Sequence, residues 1–142
     1  MISEKIKYID YDGTEREETC YFNFNKDELM ELEMSKDGGL GKWLRKIVES
    51  KQTSQVQKYY KKFILSAYGE KSNDGREFRK YDDDGRPLWR KFESTGAFHE
   101  LYYKLMTDED YAIKFINGII GANTETPQIP ADSKVITTNF NS

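Results

Sequence analysis

The amino-acid sequence predicts an α+β fold that is predominantly helical, with an N-terminal β-hairpin packed on a bundle of about five helices. An Asp-Gly dipeptide between two segments rich in aromatic and β-branched residues indicates the hairpin. Apolar residues recurring every three or four positions indicate the helices. The 142 residues are 37% hydrophobic, enough for one core. We therefore expect a single domain over residues 1–121 and a flexible tail over residues 122–142.

The predicted hairpin consists of strands over residues 5–11 and 18–24, with a tight turn at Asp12-Gly13. Glycine suits such a turn because it adopts positive φ angles at little cost. Residues 14–18 are polar, so they either extend the turn or fray the second strand. The register of the hairpin does not follow from the sequence.

Three helices are predicted after the hairpin. Asn25, with Glu28 three positions later, predicts a variant of the capping box, and Asp37-Gly38-Gly39 predicts the end of this first helix. The second and third helices have the clearest amphipathic spacing, and the third ends at Gly69. Their apolar positions are Leu40, Trp43, Leu44, Ile47 and Val48, then Val56, Tyr59, Tyr60, Phe63, Ile64 and Ala67.

Residues 70–86 are polar, contain two Asp-Gly pairs and interrupt the helical pattern. They predict a mobile or partner-contacting loop. Pro87 then suits the first turn of a helix that kinks or restarts near Gly96. Thr107, with Asp110 three positions later, predicts the cap of the last helix.

These helices are expected to share one core. Its predicted members lie on the apolar stripes of four helices, so one substitution at a central position should destabilise the whole domain. The residues expected to be buried together are Trp43, Leu44, Ile47, Phe63, Ile64, Phe98, Leu101, Phe115 and Ile116.

The C-terminal tail, residues 122–142, carries two of the three prolines and no helical period. Its few apolar residues do not offset the entropy of ordering, so we expect it to be flexible. Residues 135–140 are β-prone, which favours ordering on a partner.

Charge and hydropathy argue against membrane and nucleic-acid partners. The net charge is only −3, and no run of about 18 apolar residues exists. Residues 36–62 hold eight basic and two acidic residues, but the basic residues lie between apolar ones at helical spacing, as on a solvated helix face. The charged N-terminus does not resemble a secretory signal, and Cys20 is the sole cysteine, so we expect a reducing compartment such as the cytosol.

Some segments partly match a phosphate-binding or a calcium-binding motif, but each lacks a required residue. A phosphate loop at residues 38–42 would need glycine in place of Lys36 and serine or threonine in place of Trp43. If each Asp-Gly turn is aligned with a calcium-binding EF-hand loop, the position of the chelating glutamate holds Thr19, Tyr81 or Lys91. We interpret these segments as helix ends and turns.

The sequence also lacks the residues of common catalytic centres. Cys20 and His99 are the only cysteine and histidine, too few for a zinc site, and His99 is expected at a helix surface. No Gly-x-Ser-x-Gly elbow is present. The absence of these motifs does not exclude a glycosidase that uses a pair of carboxylates, although helix capping and solvation already explain the positions of most acidic residues. We therefore predict no catalytic, cofactor-binding or metal-binding residues, and the sequence does not assign the partner-binding residues.

Four stretches, in order, carry a family resemblance over residues 5–120. They are the hairpin with Asp12-Gly13, then YFNFNKDELMELEMSKDGGL, FILSAYGEKSNDGREF and FESTGAFHELYYKLMTDEDYAIKFINGII. The fragments SAYGEKS (66–72) and FINGII (115–120) carry most weight. The chain resembles the tail assembly chaperones of long-tailed bacteriophages, particularly those of phages that infect Gram-positive bacteria.

The resemblance implies a non-enzymatic helper protein without a cofactor, acting in the cytoplasm of the infected bacterial host. Such proteins coat the long, apolar, helical tape measure protein, keep it soluble and promote assembly of the tail tube. The tape measure protein is therefore the expected partner, and the tail tube protein and further copies of the chain are additional candidates. In many relatives a ribosomal frameshift adds a C-terminal extension. The alternative is a structural phage protein, a head-to-tail connector or minor tail component that stays in the virion.

Overall fold

The structure, a computed structural model, describes residues 1–50 and 54–121. Within these residues the chain forms one four-stranded antiparallel sheet and six helices, which confirms the predicted α+β, mostly helical class. The strands are β1 (Ile2–Ile9), β2 (Glu15–Phe22), β3 (Tyr68–Lys71) and β4 (Phe78–Arg79), in that order across the sheet. The helices are α1 (Lys26–Ser35), α2 (Leu40–Ser50), α3 (Ser54–Ala67), α4 (Trp89–Glu93), α5 (Gly96–Thr107) and α6 (Glu109–Ile120). The predicted tail, residues 122–142, lies outside the described residues.

The predicted hairpin is present as β1 and β2. Its turn is held by the Asp10 side chain, whose Oδ1 accepts hydrogen bonds from the backbone N–H groups of Asp12 and Thr14, both at 2.9 Å. Gly13 has a φ of 83°, as the Asp-Gly signal predicts. Because Asp10 begins the turn, both strands lie two to three residues nearer the N-terminus than predicted.

The prediction of one long loop over residues 70–86 is wrong. β3 and β4 form a second hairpin there, and a third turn follows at residues 82–86. In that turn Asp82 Oδ1 accepts hydrogen bonds from Asp84 N and Arg86 N, both at 2.9 Å, which repeats the geometry of Asp10. The segment is polar because its turns lie at an exposed edge, where short polar side chains stabilise the backbone.

One face of the sheet is covered by helices. Ile6 of β1 and Cys20 and Phe22 of β2 are buried, whereas the alternate side chains of β1 are exposed, as expected for a strand with one buried face. α5 and α6 pack against β1. The approach is close at Gly96, where an added methyl group would lie 2.8 Å from Tyr8 Cδ2.

Most predicted helix boundaries are confirmed. Glu28 completes the capping box of α1 by accepting a hydrogen bond from Asn25 N at 2.8 Å. A new helix begins at Gly96, as predicted, so α4 and α5 are separate helices. The predicted cap of the last helix is wrong by one residue: Asp108, not Thr107, caps α6, and its carboxylate accepts a hydrogen bond from Tyr111 N at 3.0 Å.

Eight of the nine predicted core residues are buried. The exception is Trp43, which is only partly buried against the core, with Lys36 Nζ 4.3 Å from its ring centroid. The centre of the core includes residues that the prediction omitted. Phe22 is fully buried, and its ring packs edge-on against Tyr68, Phe92 and Phe115.

Phe63→Ala should reduce the free energy of unfolding by about 3–5 kcal/mol, the usual range for a buried phenylalanine. Phe63 is 4% exposed, and its ring centroid lies 5.1 Å from that of Phe24 and 5.7 Å from that of Trp43. Urea unfolding followed by circular dichroism measures the change. Tyr59→Ala on the same helix is the control, because Tyr59 is 50% exposed and its loss should cost about 0.5 kcal/mol or less. A loss below about 1 kcal/mol for Phe63→Ala would contradict the packing described.

Candidate partner-binding cleft

An open cleft of about 420 Å³ lies between α1 and the segment that runs from β4 into α4. We call it the α1 cleft. Its lining comes from α1, from Phe24 just after β2, from the end of α3 and the start of β3, and from residues 80–89. The lining residues are Phe24, Glu28, Glu31, Leu32, Ser35, Ser66, Tyr68, Lys80, Tyr81, Pro87 and Trp89.

Much of the α1 cleft is apolar. Leu32, Tyr68 and Trp89 are only partly buried and pack against the core, so each retains surface that faces solvent. Tyr81 is 60% exposed. Aromatic side chains with free surface lose little entropy on binding and bury a large area, so this lining suits contact with an apolar partner.

A salt bridge links the two walls of the α1 cleft. Lys80 Nζ lies 2.8 Å from Glu28 Oε2 and 4.6 Å from the centroid of the Phe24 ring. The Lys80 side chain is 14% exposed and that of Glu28 31% exposed, so the pair is partly buried. Burial lowers the pKa of Lys80, and the bond to Glu28 opposes this effect. The other oxygen of Glu28 caps α1, so one carboxylate fixes both the start of the helix and its position against the opposite wall.

The α1 wall is acidic. Two of the four carboxylates of this helix, those of Glu28 and Glu31, line the cleft. Glu28 is paired with Lys80, whereas Glu31 makes no ion pair with any side chain in residues 1–50 or 54–121. On the facing wall Arg79 is already paired with Asp83 at 2.7 Å. A cation placed beside α1 would therefore be attracted to Glu31.

Two exposed methionines lie on another face of α1, outside the α1 cleft. Met30 is 59% exposed and Met34 75% exposed, and their spacing of four residues places them on one face of the helix. Only Leu29 of α1 is buried. Methionine side chains are flexible and polarizable, so they adapt to partners of irregular shape.

A second cleft, of about 580 Å³, lies beside the first hairpin. It is larger, but five of its seven lining residues are charged: Lys7, Glu15, Arg16, Glu17 and Glu100. The remaining two are Tyr8 and Ile9. A hydrogen bond from the Tyr8 hydroxyl to Glu18, together with burial, raises the pKa of Tyr8 to about 12. Because most of its lining is charged, its greater volume does not make it the better candidate for an apolar partner.

Cys20 and His99 lie in different environments. Cys20 is buried on the inner face of the sheet, and burial with the nearby Glu18 raises the pKa of its thiol to about 11. His99 is exposed on α5, as predicted. Among residues 1–50 and 54–121, no group of three or more His, Cys, Asp or Glu side chains is arranged to hold a metal ion. Within the same ranges no helix is both long and apolar enough to cross a membrane.

Comparison with known protein families gives a match over most of the chain. The family model described as phage tail assembly chaperone matches residues 1–129 of the 142. The chain belongs to the phage tail assembly chaperone family. This confirms the resemblance inferred from the sequence, and a chaperone family implies a non-catalytic role. Comparisons with curated proteins and with solved structures found no match.

Sequence reasoning did not find the α1 cleft of this tail assembly chaperone. Its linking salt bridge joins residues 52 positions apart, and such a distance is not encoded in local periodicity. One signal was present in the Asp-Gly pairs of residues 70–86. Interpreted as hairpin turns, they would have folded this segment back and placed Lys80 and Trp89 against neighbouring elements.

Lys80→Ala should destabilise the protein by about 1.5–3 kcal/mol, because it removes a hydrogen bond between charged groups and leaves Glu28 partly buried without its partner. The measurement is the midpoint of urea unfolding.

Lys7→Ala is the matched control for this prediction. Lys7 Nζ and Glu17 Oε2 lie 3.9 Å apart, and the two side chains are 84% and 48% exposed, so loss of this ion pair should leave the free energy of unfolding nearly unchanged. Equal effects of the two substitutions would show that the pair across the α1 cleft has no structural role.

Proposed function

We propose that this tail assembly chaperone binds the tape measure protein of its phage, keeps it soluble and promotes assembly of the tail tube around it. The family match carries the proposal, since it establishes a role in tail assembly over residues 1–129. The α1 cleft supports it by offering apolar surface on a helical scaffold. The proposed place of action is the cytoplasm of the infected host, where tails are assembled.

The proposed mechanism is stoichiometric coverage of apolar surface. A long helical protein with apolar stripes associates with its own copies in water unless another surface buries those stripes. A preformed groove with flexible and aromatic side chains competes for the same contacts. This activity requires no reactive group. The tail tube protein and further copies of the chaperone are proposed as additional partners during assembly.

Co-expression with the tape measure protein encoded in the same phage genome tests the proposal. We expect the tape measure protein to move from the pellet to the supernatant and to co-purify with the chaperone. An unrelated soluble protein expressed at the same level is the control. Calorimetry on the purified components should show a negative heat-capacity change, because apolar surface is buried. A tape measure protein that is equally insoluble with and without the chaperone would refute the proposal.

The alternative function, a connector or minor tail component, predicts a different distribution of the protein. A component retained in the particle would give abundant peptides in mass spectrometry of mature virions. A chaperone should instead be abundant in infected cells and nearly absent from purified particles. Abundant virion peptides would therefore favour the structural role.

A further inference from the structure

Resting on the proposed function, we propose that the α1 cleft binds one amphipathic helix of the tape measure protein, with its basic residues lying against the acidic wall of α1. The inference adds a binding surface, a secondary structure for the bound segment and a charge pattern that the segment must carry. Three observations support it.

The first observation is that backbone groups within each wall are already paired with each other. One wall is a helix, whose backbone groups pair internally. On the other wall Leu88 N donates to Lys80 O and Asp82 N donates to Arg86 O, both at 2.9 Å, and Tyr81 pairs with Pro87. Residues 80–82 and 86–88 are thus paired with each other. A bound helix, which satisfies its own backbone, needs no backbone partner from either wall.

The second observation is the asymmetry of charge. Glu31 lines the α1 cleft without an ion pair in the described residues, whereas Lys80 and Arg79 on the facing wall are already paired with Glu28 and Asp83. Among the lining residues, lysine or arginine on one flank of the bound helix would therefore find a carboxylate without an ion pair only on the α1 side, at Glu31. Such rim charges act mainly on orientation and association rate, while the apolar lining provides the larger share of affinity.

The third observation is the match between the lining and an apolar stripe. A helix presents apolar residues at positions i, i+3, i+4 and i+7, which form a narrow ridge. Leu32, Tyr68 and Trp89 provide apolar surface inside the α1 cleft. The bound segment is therefore an apolar ridge with a basic flank.

The test uses overlapping 20-residue peptides that cover the tape measure protein of the same phage, added to the full-length chaperone. The chain has two tryptophans, and only Trp89 lines the α1 cleft. In the Trp43→Phe variant, binding should shift the fluorescence emission of Trp89. In the Trp89→Phe variant, the fluorescence emission of Trp43 should not change when the peptide binds. Calorimetry on the unsubstituted chain gives the affinities independently of either variant.

The peptides that bind should share an apolar helical stripe and a positive charge. Replacing their lysines and arginines with glutamine should weaken binding about five- to tenfold, as expected for a few rim charges. Glu31→Lys in the chaperone should weaken binding of the unmodified peptides by a similar factor. Ser35 is exposed and lines the α1 cleft, so Ser35→Phe should fill the cleft and weaken peptide binding by about tenfold or more. Glu100→Lys in the second cleft is the matched control and should have no effect.

Several results would overturn the inference. If the chaperone holds the tape measure protein but Trp89 stays silent and the Glu31 and Ser35 variants bind normally, the α1 cleft is not the site, although the proposed function stands. If no peptide and no intact tape measure protein binds, both fail. A Trp89 emission that changes with protein concentration alone would assign the α1 cleft to a second copy. A shift caused by Val135→Asp or Phe140→Asp without peptide would assign it to the chain's own C-terminal segment.

Discussion

The pairing of β2 with β3 is the constraint on which the rest of the structure depends. Tyr21 pairs with Gly69 and Phe22 with Tyr68, and Asn23 N continues the contact by donating to Ala67 O at 2.8 Å. This short ladder joins the N-terminal hairpin to the end of α3. It also brings the Tyr68 ring to 5.9 Å from Phe22 and stacks it on Phe92 at 4.0 Å. The core and the α1 cleft both follow from it, because the chain after Gly69 must fold back beside α1.

Gly69 shows how tightly this ladder is packed. A methyl group added there would lie 2.5 Å from Phe78 Cε2 and 2.7 Å from the carbonyl oxygen of Arg79. The second of these atoms belongs to the backbone and has little freedom to move. Glycine is therefore required at this position by the close approach of β4, and no special φ angle is involved.

Features governed by nearby residues were predictable from the sequence, whereas features governed by distant pairing were not. The first turn, the capping box of Asn25 and Glu28 and the apolar face around Phe63 all arise within a few positions along the chain. β3 and β4 have only four and two residues and no alternating pattern, so nothing local distinguishes them from a loop. The α1 cleft was hidden for the same reason. The family resemblance was visible in the sequence because it rests on whole segments rather than on a site.

The length of the α1 cleft has a consequence for the geometry of the complex. Its α1 wall extends over residues 28–35, which in a helix corresponds to about 10 Å. On the proposed mode of binding, one copy therefore shields only about two turns of the bound helix. A partner many turns long then requires a row of copies, and the number in that row grows in proportion to the partner's length.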